Sequence, residues 1–217
     1  MLGLLFLANS LIALPVGACP VPPPVYVAVM LDDAAVATRT DFSLAQIEAM
    51  RQKTGGVDRH PTLGFYGHRF GYTVQVDLAH ATDDGPCATS VQVSVHMVLS
   101  ERVIEIGREL TSDPCRYAIA EAHYRRHAAA DDAIFAQYAH TIAPALRAAE
   151  LIPAQDDYAF DRLDRKQIER LVDASIDTSL VPYDAARHAA QTAVDNKNEA
   201  LKMTTGCSAQ TPHDGHA

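Results

Sequence analysis

The chain has 217 residues, 48% hydrophobic and 21% charged, with a net charge of −9. That is the composition of one ordinary domain or at most two small ones. No run of Lys and Arg exceeds two residues, so there is no basic stripe to follow a phosphate backbone, which argues against nucleic acid as a partner.

The N-terminus stands apart. No charged residue precedes Asp32. The run LGLLFLANSLIAL has the length of a signal-peptide apolar core, and Val16 and Ala18 place small residues at −3 and −1 of a cut before Cys19. Pro15 breaks the run short of the roughly 20 apolar residues a bilayer span needs. No Lys or Arg comes before it, unlike an ordinary signal peptide. Residues 1–18 are expected to be a cleaved signal, making the chain periplasmic or secreted. Val16-Gly17-Ala18-Cys19 also loosely fits a lipoprotein cleavage box without its preferred leucine. Lipid on Cys19 is the one route by which membrane attachment is expected.

In an oxidising compartment the four cysteines, Cys19, Cys87, Cys115 and Cys207, are expected to form disulfides. Four allow three pairings, and parity favours two bridges. A Cys87–Cys115 bridge would tie the start of a helix to the sheet, stabilising by roughly 3–4 kcal/mol through loop closure. Cys19 with Cys207 would then pin both ends. The closely spaced cysteine pairs of a thiolate zinc site are missing.

After Cys19, PVPPP is an extended spacer, and VYVAVM (25–30) reads as a strand. A helix is expected to start at Ser43, with Gln46 completing a capping box and Phe42 and Ile47 placed for a hydrophobic staple. It would run to about Lys53 and stop at Gly55-Gly56. YTVQVDL (72–78) and SVQVSVHMVL (90–99) alternate as strands, separated by DDGPC at 83–87. SER (100–102) reads as a turn and VIEIGREL (103–110) as the returning strand, which predicts an antiparallel meander.

Beyond Asp113-Pro114 the period becomes helical. One helix is expected to run to about Leu151, with Pro144 kinking or dividing it. A second fits 159–176, with Phe160, Leu163, Ile168, Leu171 and Val172 as its apolar stripe. A third runs from near Asp184 to about Met203. The predicted fold class is α+β in one domain, 19–207. A small antiparallel sheet of three to four strands (β-rich 25–110) is followed by, and packed against, two to three long helices (113–205). The tail, 208–217, is polar and expected to be flexible.

The chemistry-bearing feature is in IAEAHYRRHAAAD (119–131). His123 and His127 stand one helical turn apart on one face, so both imidazoles can reach one zinc ion at about 2.0–2.1 Å. With 10 histidines in the chain, about 0.4 such pairs arise by chance, so the spacing alone is weak evidence. Tyr117, Tyr124 and Tyr138 share a helical face and read as packing residues.

The order of features is more distinctive. A cysteine precedes a V-x-V-x-V strand. A further strand, Pro114-Cys115-Arg116-Tyr117 and the His123-xxx-His127 helix follow, with Thr62-Leu63-Gly64 before the sheet and Ala193-Val194-Asp195 late in the chain. This resembles a zincin-like bacterial family described as secreted zinc-dependent proteases, over a span from about Val25 to the last cysteine. The resemblance implies zinc as cofactor, His123 and His127 as ligands, and Tyr124 in the slot of the catalytic glutamate. That glutamate must titrate near neutral pH to move a proton from zinc-bound water to the leaving amine. A phenol with an ordinary pKa of about 10 can only donate a hydrogen bond or stabilise an oxyanion. Glu121 is a poor substitute, lying about 140° round the helix from the histidine direction against about 80° for position 124. Arg125 and Arg126 add positive charge that would oppose a cation.

Asp131 continues the spacing but lies about 12 Å along the axis from His123, too far to share an ion. A third ligand is therefore expected from Asp157, Asp161, Asp164, His188 or Asp195. The leading expectation is an exported zincin-like domain with catalysis impaired at Tyr124, retaining metal binding or binding a peptide or envelope protein. The alternatives are an active zinc metallopeptidase whose base comes from elsewhere, and a non-catalytic disulfide-stabilised envelope protein or lipoprotein.

Overall fold

The computed structural model describes residues 23–53, 62–80, 88–152 and 165–207. In chain order these form β1 (Val25–Asp33), β2 (Ala37–Arg39), α1 (Leu44–Lys53), β3 (Gly64–His80), β4 (Ala88–Ile106), a 3-10 turn (Arg108–Ser112), α2 (Pro114–Ala148), α3 (Arg165–Val194) and α4 (Lys197–Thr205). The signal segment, Gly55-Gly56, the DDGPC connection and the tail lie outside the described residues. The fold class is α+β, as the periodicity predicts. Among the described residues no helix is long and apolar enough to cross a membrane.

The sheet is mixed, which corrects the expected antiparallel meander. β4 lies at its centre. β3 pairs with it antiparallel, while β1 runs parallel to its first half and β2 parallel to its last residues. Alternation tells which face of a strand is buried, not which way its neighbour runs. The long excursion between β1 and β4, carrying α1 and β3, supplies the connection a parallel pair requires.

A second correction concerns Ser100-Glu101-Arg102. β4 does not reverse there but continues through all 19 of its residues. Glu101 takes a positive φ of 51°. The register steps so that Glu101 and Arg102 together oppose the single residue His68 of β3. The polar tripeptide that reads as a turn is a β-bulge, which bends the strand and re-aims the side chains beside it. Here it delivers Arg102 into the interior, where its guanidinium donates to the Ala34 carbonyl and to Asp132 of α2.

Val91, Val93, Val95, Met97 and Leu99 are all fully buried on the inner face of β4. With Val76 they pack against Phe135, Ala139, Ile142 and Leu146 of α2 and Ile168, Val172 and Ile176 of α3. A smaller cluster at the other end joins Leu63, Ile104, Ile106 and Leu110 to Ala120 and Tyr124. Between the two clusters, α2 is buried but polar, at His127 and Asp131.

Local signals place the helix starts well. Ser43 and Gln46 form the expected reciprocal box, each accepting from the other's backbone N–H, at 2.9 and 3.2 Å. Ile47 is buried, while Phe42 is exposed. Asp113 caps α2, accepting from the Arg116 N–H. Pro144 does not divide the helix it lies in. α2 continues past Pro144 to Ala148, and α3 runs unbroken through Pro182, so the two later helices predicted from sequence are one across 176–184. The break comes at Asp195-Asn196 instead, where Asn196 caps α4 by accepting from the N–H groups of Asn198 and Glu199.

Cys115 is bonded to Cys207, across a sequence separation of 92. This overturns the expected Cys87–Cys115 and Cys19–Cys207 pairs; Cys19 and Cys87 themselves lie outside the described residues. The bridge joins the first turn of α2 to the end of α4. Gly206 lets the chain end approach, since a Cβ there would stand 2.7 Å from Ile119 Cδ1 and 2.6 Å from the Lys202 carbonyl oxygen. Replacing both cysteines (Cys115→Ala/Cys207→Ala) is expected to lower unfolding free energy by about 2–4 kcal/mol, the usual worth of a long-loop disulfide. Urea unfolding under non-reducing conditions measures it, and a loss under about 1 kcal/mol would contradict the expectation.

Candidate metal centre

His123 and His127 are 6% and 8% exposed, on the α2 face turned toward α3 and α4. Their Nε2 atoms face each other at 3.1 Å. Asp195, in the break between α3 and α4, brings Oδ1 to 2.9 Å from His127 Nε2 and 3.2 Å from His123 Nε2. Around a tetrahedral zinc with bonds of about 2.0–2.1 Å, neighbouring donors stand about 3.3–3.4 Å apart. The triangle is within a few tenths of an ångström of that spacing, and its chemistry, two imidazoles and a carboxylate, suits zinc. It is the one such convergence of His, Cys, Asp or Glu donors found among the described residues. Half of the Asp195 side chain remains exposed, so the triangle has a side open to solvent.

Of the five candidates for a third ligand, Asp195 is the one at the histidines. His188 is exposed on α3, and Asp157, Asp161 and Asp164 lie outside the described residues. Burial pushes the Asp195 pKa up, but hydrogen bonds with His123 and His127, and the charge those rings can carry, outweigh it and hold the carboxyl well below its usual range. It is a carboxylate under ordinary conditions.

Behind the triangle is a set of contacts that the sequence reading missed. His127 Nδ1 is bonded to the side-chain oxygen of Gln191. The Gln191 amide nitrogen donates to the His127 carbonyl at 3.1 Å and to Asp131 Oδ1 at 2.6 Å. Asp131 is fully buried. It also receives Arg187, whose Nε and terminal nitrogen lie 3.0 and 3.3 Å from its two oxygens, and His68, whose Nδ1 lies 2.8 Å from Oδ2. On the other side, Glu199 Oε2 stands 3.8 Å from His123 Nδ1. A signal existed in the four-residue steps 187, 191 and 195, which match 123, 127 and 131. It could not be used without knowing that the two helices lie antiparallel.

Tyr124 is 7% exposed and belongs to the smaller core cluster. Its ring meets His123 edge-on at a centroid distance of 4.9 Å, and Gly64 gives it room, since a Cβ there would stand 2.8 Å from the ring. Burial raises the phenol's pKa well above its ordinary value, against smaller opposing effects from the backbones of Gly64 and Leu63. Glu121 points elsewhere, to Arg125 at 2.7 Å and to Thr38. The two arginines expected to oppose a cation are both paired, Arg125 with Glu121 and Arg126 with Glu199.

Comparison with family models, with curated proteins and with solved structures yields no match for the chain.

Burial pushes the Asp131 pKa up, but His68 and Arg187 pull it further down, so its folded-state value lies below the ordinary one. A carboxyl of depressed pKa contributes stability that is complete above its unfolded value, about 3.9, and lost as pH falls through the folded value. Asp131→Asn is therefore expected to cost about 1–3 kcal/mol near neutral pH by stranding its buried donors. It should also flatten the acid limb of the stability curve below about pH 5. Urea unfolding across that range reads both, and an acid limb as steep as that of the unaltered chain would contradict the assignment.

Proposed function

We propose that this chain is an exported, zincin-like domain that holds one zinc ion on His123, His127 and Asp195 and is impaired as a peptidase. The observation that carries the reading is the triangle of Nε2, Nε2 and Oδ1 atoms 2.9–3.2 Å apart, two of them buried on one helix and the third from another segment. Two imidazole nitrogens and a carboxylate oxygen converging at this spacing form a donor set that suits a zinc ion. The donor set also matches the resemblance, which places ligands on His123 and His127.

When bound, zinc with three protein ligands and an open side polarises a carbonyl or acidifies its water. The chain's own residues provide the holding. The two histidines present their Nε2 atoms from a rigid helix, and Asp195 supplies the one negative charge of the triangle.

Among the described residues, the groups beside the triangle are poorly placed to move a proton. The Tyr124 phenol, buried and raised in pKa, stays neutral at physiological pH and cannot act as a base. Glu121 is bonded to Arg125, and Glu199 to Arg126 and Lys202. Neither carboxylate is free to take the role. We assign the domain to the cell envelope or the exterior, on the apolar N-terminal run and on a disulfide that persists in oxidising compartments. Its role there is to bind a peptide or an envelope protein at the old catalytic face.

Protein purified without a histidine tag and dialysed against zinc is expected to carry about one ion per chain. The ion should be lost in His123→Ala and in Asp195→Ala, as measured by elemental analysis. Saturation at a hundred times Kd should raise stability by about 2.7 kcal/mol. A zinc-replete preparation with no bound metal would sink the cation site. Chelator-sensitive peptide hydrolysis by the unaltered chain would instead sink the impairment.

A further inference from the structure

The two histidines of the triangle are not held alike. His123 Nδ1 is buried with no hydrogen-bond partner among the described residues. His127 Nδ1 is bonded to Gln191, which is itself clamped on both of its other sides. We propose that Gln191 and Asp131 are positioning residues that lock His127 in the one tautomer able to bind a cation. The inference rests on the zinc site proposed above.

The argument follows from which atoms can donate. The Gln191 side chain has one nitrogen that donates and one oxygen that accepts. The atom facing the His127 carbonyl and Asp131 Oδ1 meets two acceptors, so it must be the nitrogen. The oxygen is then left for His127 Nδ1, and an oxygen can only accept. His127 Nδ1 therefore carries a proton, which leaves Nε2, on the far side of the ring, as the nitrogen a cation in the triangle would take. Were the amide reversed, its nitrogen would confront Nδ1 and its oxygen would confront a carboxylate at 2.6 Å. Asp131 enforces the orientation by accepting. It is held in place by Arg187 from α3 and His68 from β3, so the chain of constraint reaches from the sheet to the ligand.

Such partners of ligating histidines fix ring orientation and tautomer, and their loss typically costs 10–100-fold in metal affinity. The pattern also explains the fully buried carboxylate at 131, which is too far along α2 to be a ligand. It acts two contacts away, through Gln191.

The test uses the full chain and zinc itself. Gln191→Leu keeps the volume and removes the amide; it should weaken zinc binding 10–100-fold, read by competition with a chromophoric chelator. Asp131→Asn keeps an oxygen to accept from the Gln191 amide and should retain zinc affinity despite its cost in stability. A merely structural role would not move the tautomer. In the metal-free protein, nitrogen-15 spectra should show His127 with Nδ1 protonated in the unaltered chain and in Asp131→Asn, and Nδ1 only partly protonated in Gln191→Leu. Unchanged zinc affinity in Gln191→Leu, or an equal loss in both variants, would overturn the positioning role while leaving the zinc site standing. Failure of the unaltered chain to take up zinc would remove the site, and this inference with it.

Discussion

The structure turns on a polar ladder, buried along its α2 side, between two antiparallel helices. His123, His127 and Asp131 descend α2 in steps of four, and Asp195, Gln191 and Arg187 descend the opposing segment in the same steps, each rung touching its counterpart. Charged and polar groups taken out of water cost several kcal/mol each unless their bonds are remade inside. Sliding α3 by four residues, about 6 Å, would bring Arg187 opposite His127 and strand Asp131 in the interior. Apolar residues alone tolerate such slips more easily, because burial has no direction. The ladder thus sets the register of the helix pair, and that register is what brings Asp195 to the two imidazoles.

The roll of α2 about its own axis is set in the same way. Asp131 faces α3 and the His68 ring of β3, while the next residue, Asp132, receives Arg102 from β4. Arg102 is buried and also bonded to the Tyr66 hydroxyl and to the Ala34 carbonyl. It reaches this place because the bulge at Glu101 turns β4 locally. Two adjacent carboxylates, one tied to α3 and β3 and the other to β4, leave α2 little freedom to rotate. The histidines one and two turns earlier inherit that orientation.

The third support is covalent. The Cys115–Cys207 bridge closes a loop containing all three donor residues, and it anchors α4 close to α2. Arg126 of α2 pairs with Glu199, so α4 is fastened near the site by charge as well. The break at Asp195 is therefore a fixed corner, with a capped helix on its far side.

Much of this was legible in the residues themselves. The alternation at 90–99 put Val91, Val93, Val95 and Met97 on one face, which β4 buries, the capping signals placed the starts of α1 and α2, and the HxxxH spacing put two imidazoles on one face. These are local matters, decided by backbone geometry and by periods of 2 and 3.6 residues. The direction of β1 against β4, the bulge in place of a turn and the continuity of α3 through Pro182 were not legible. Each depends on what a segment packs against, and packing outweighs the preference of three or four residues. The third donor, the partner of Cys115 and the Gln191–Asp131 clamp belong to the same class. Those contacts join residues more than fifty positions apart, and only the antiparallel alignment of two long helices, fixed by paired buried charges, brings them together.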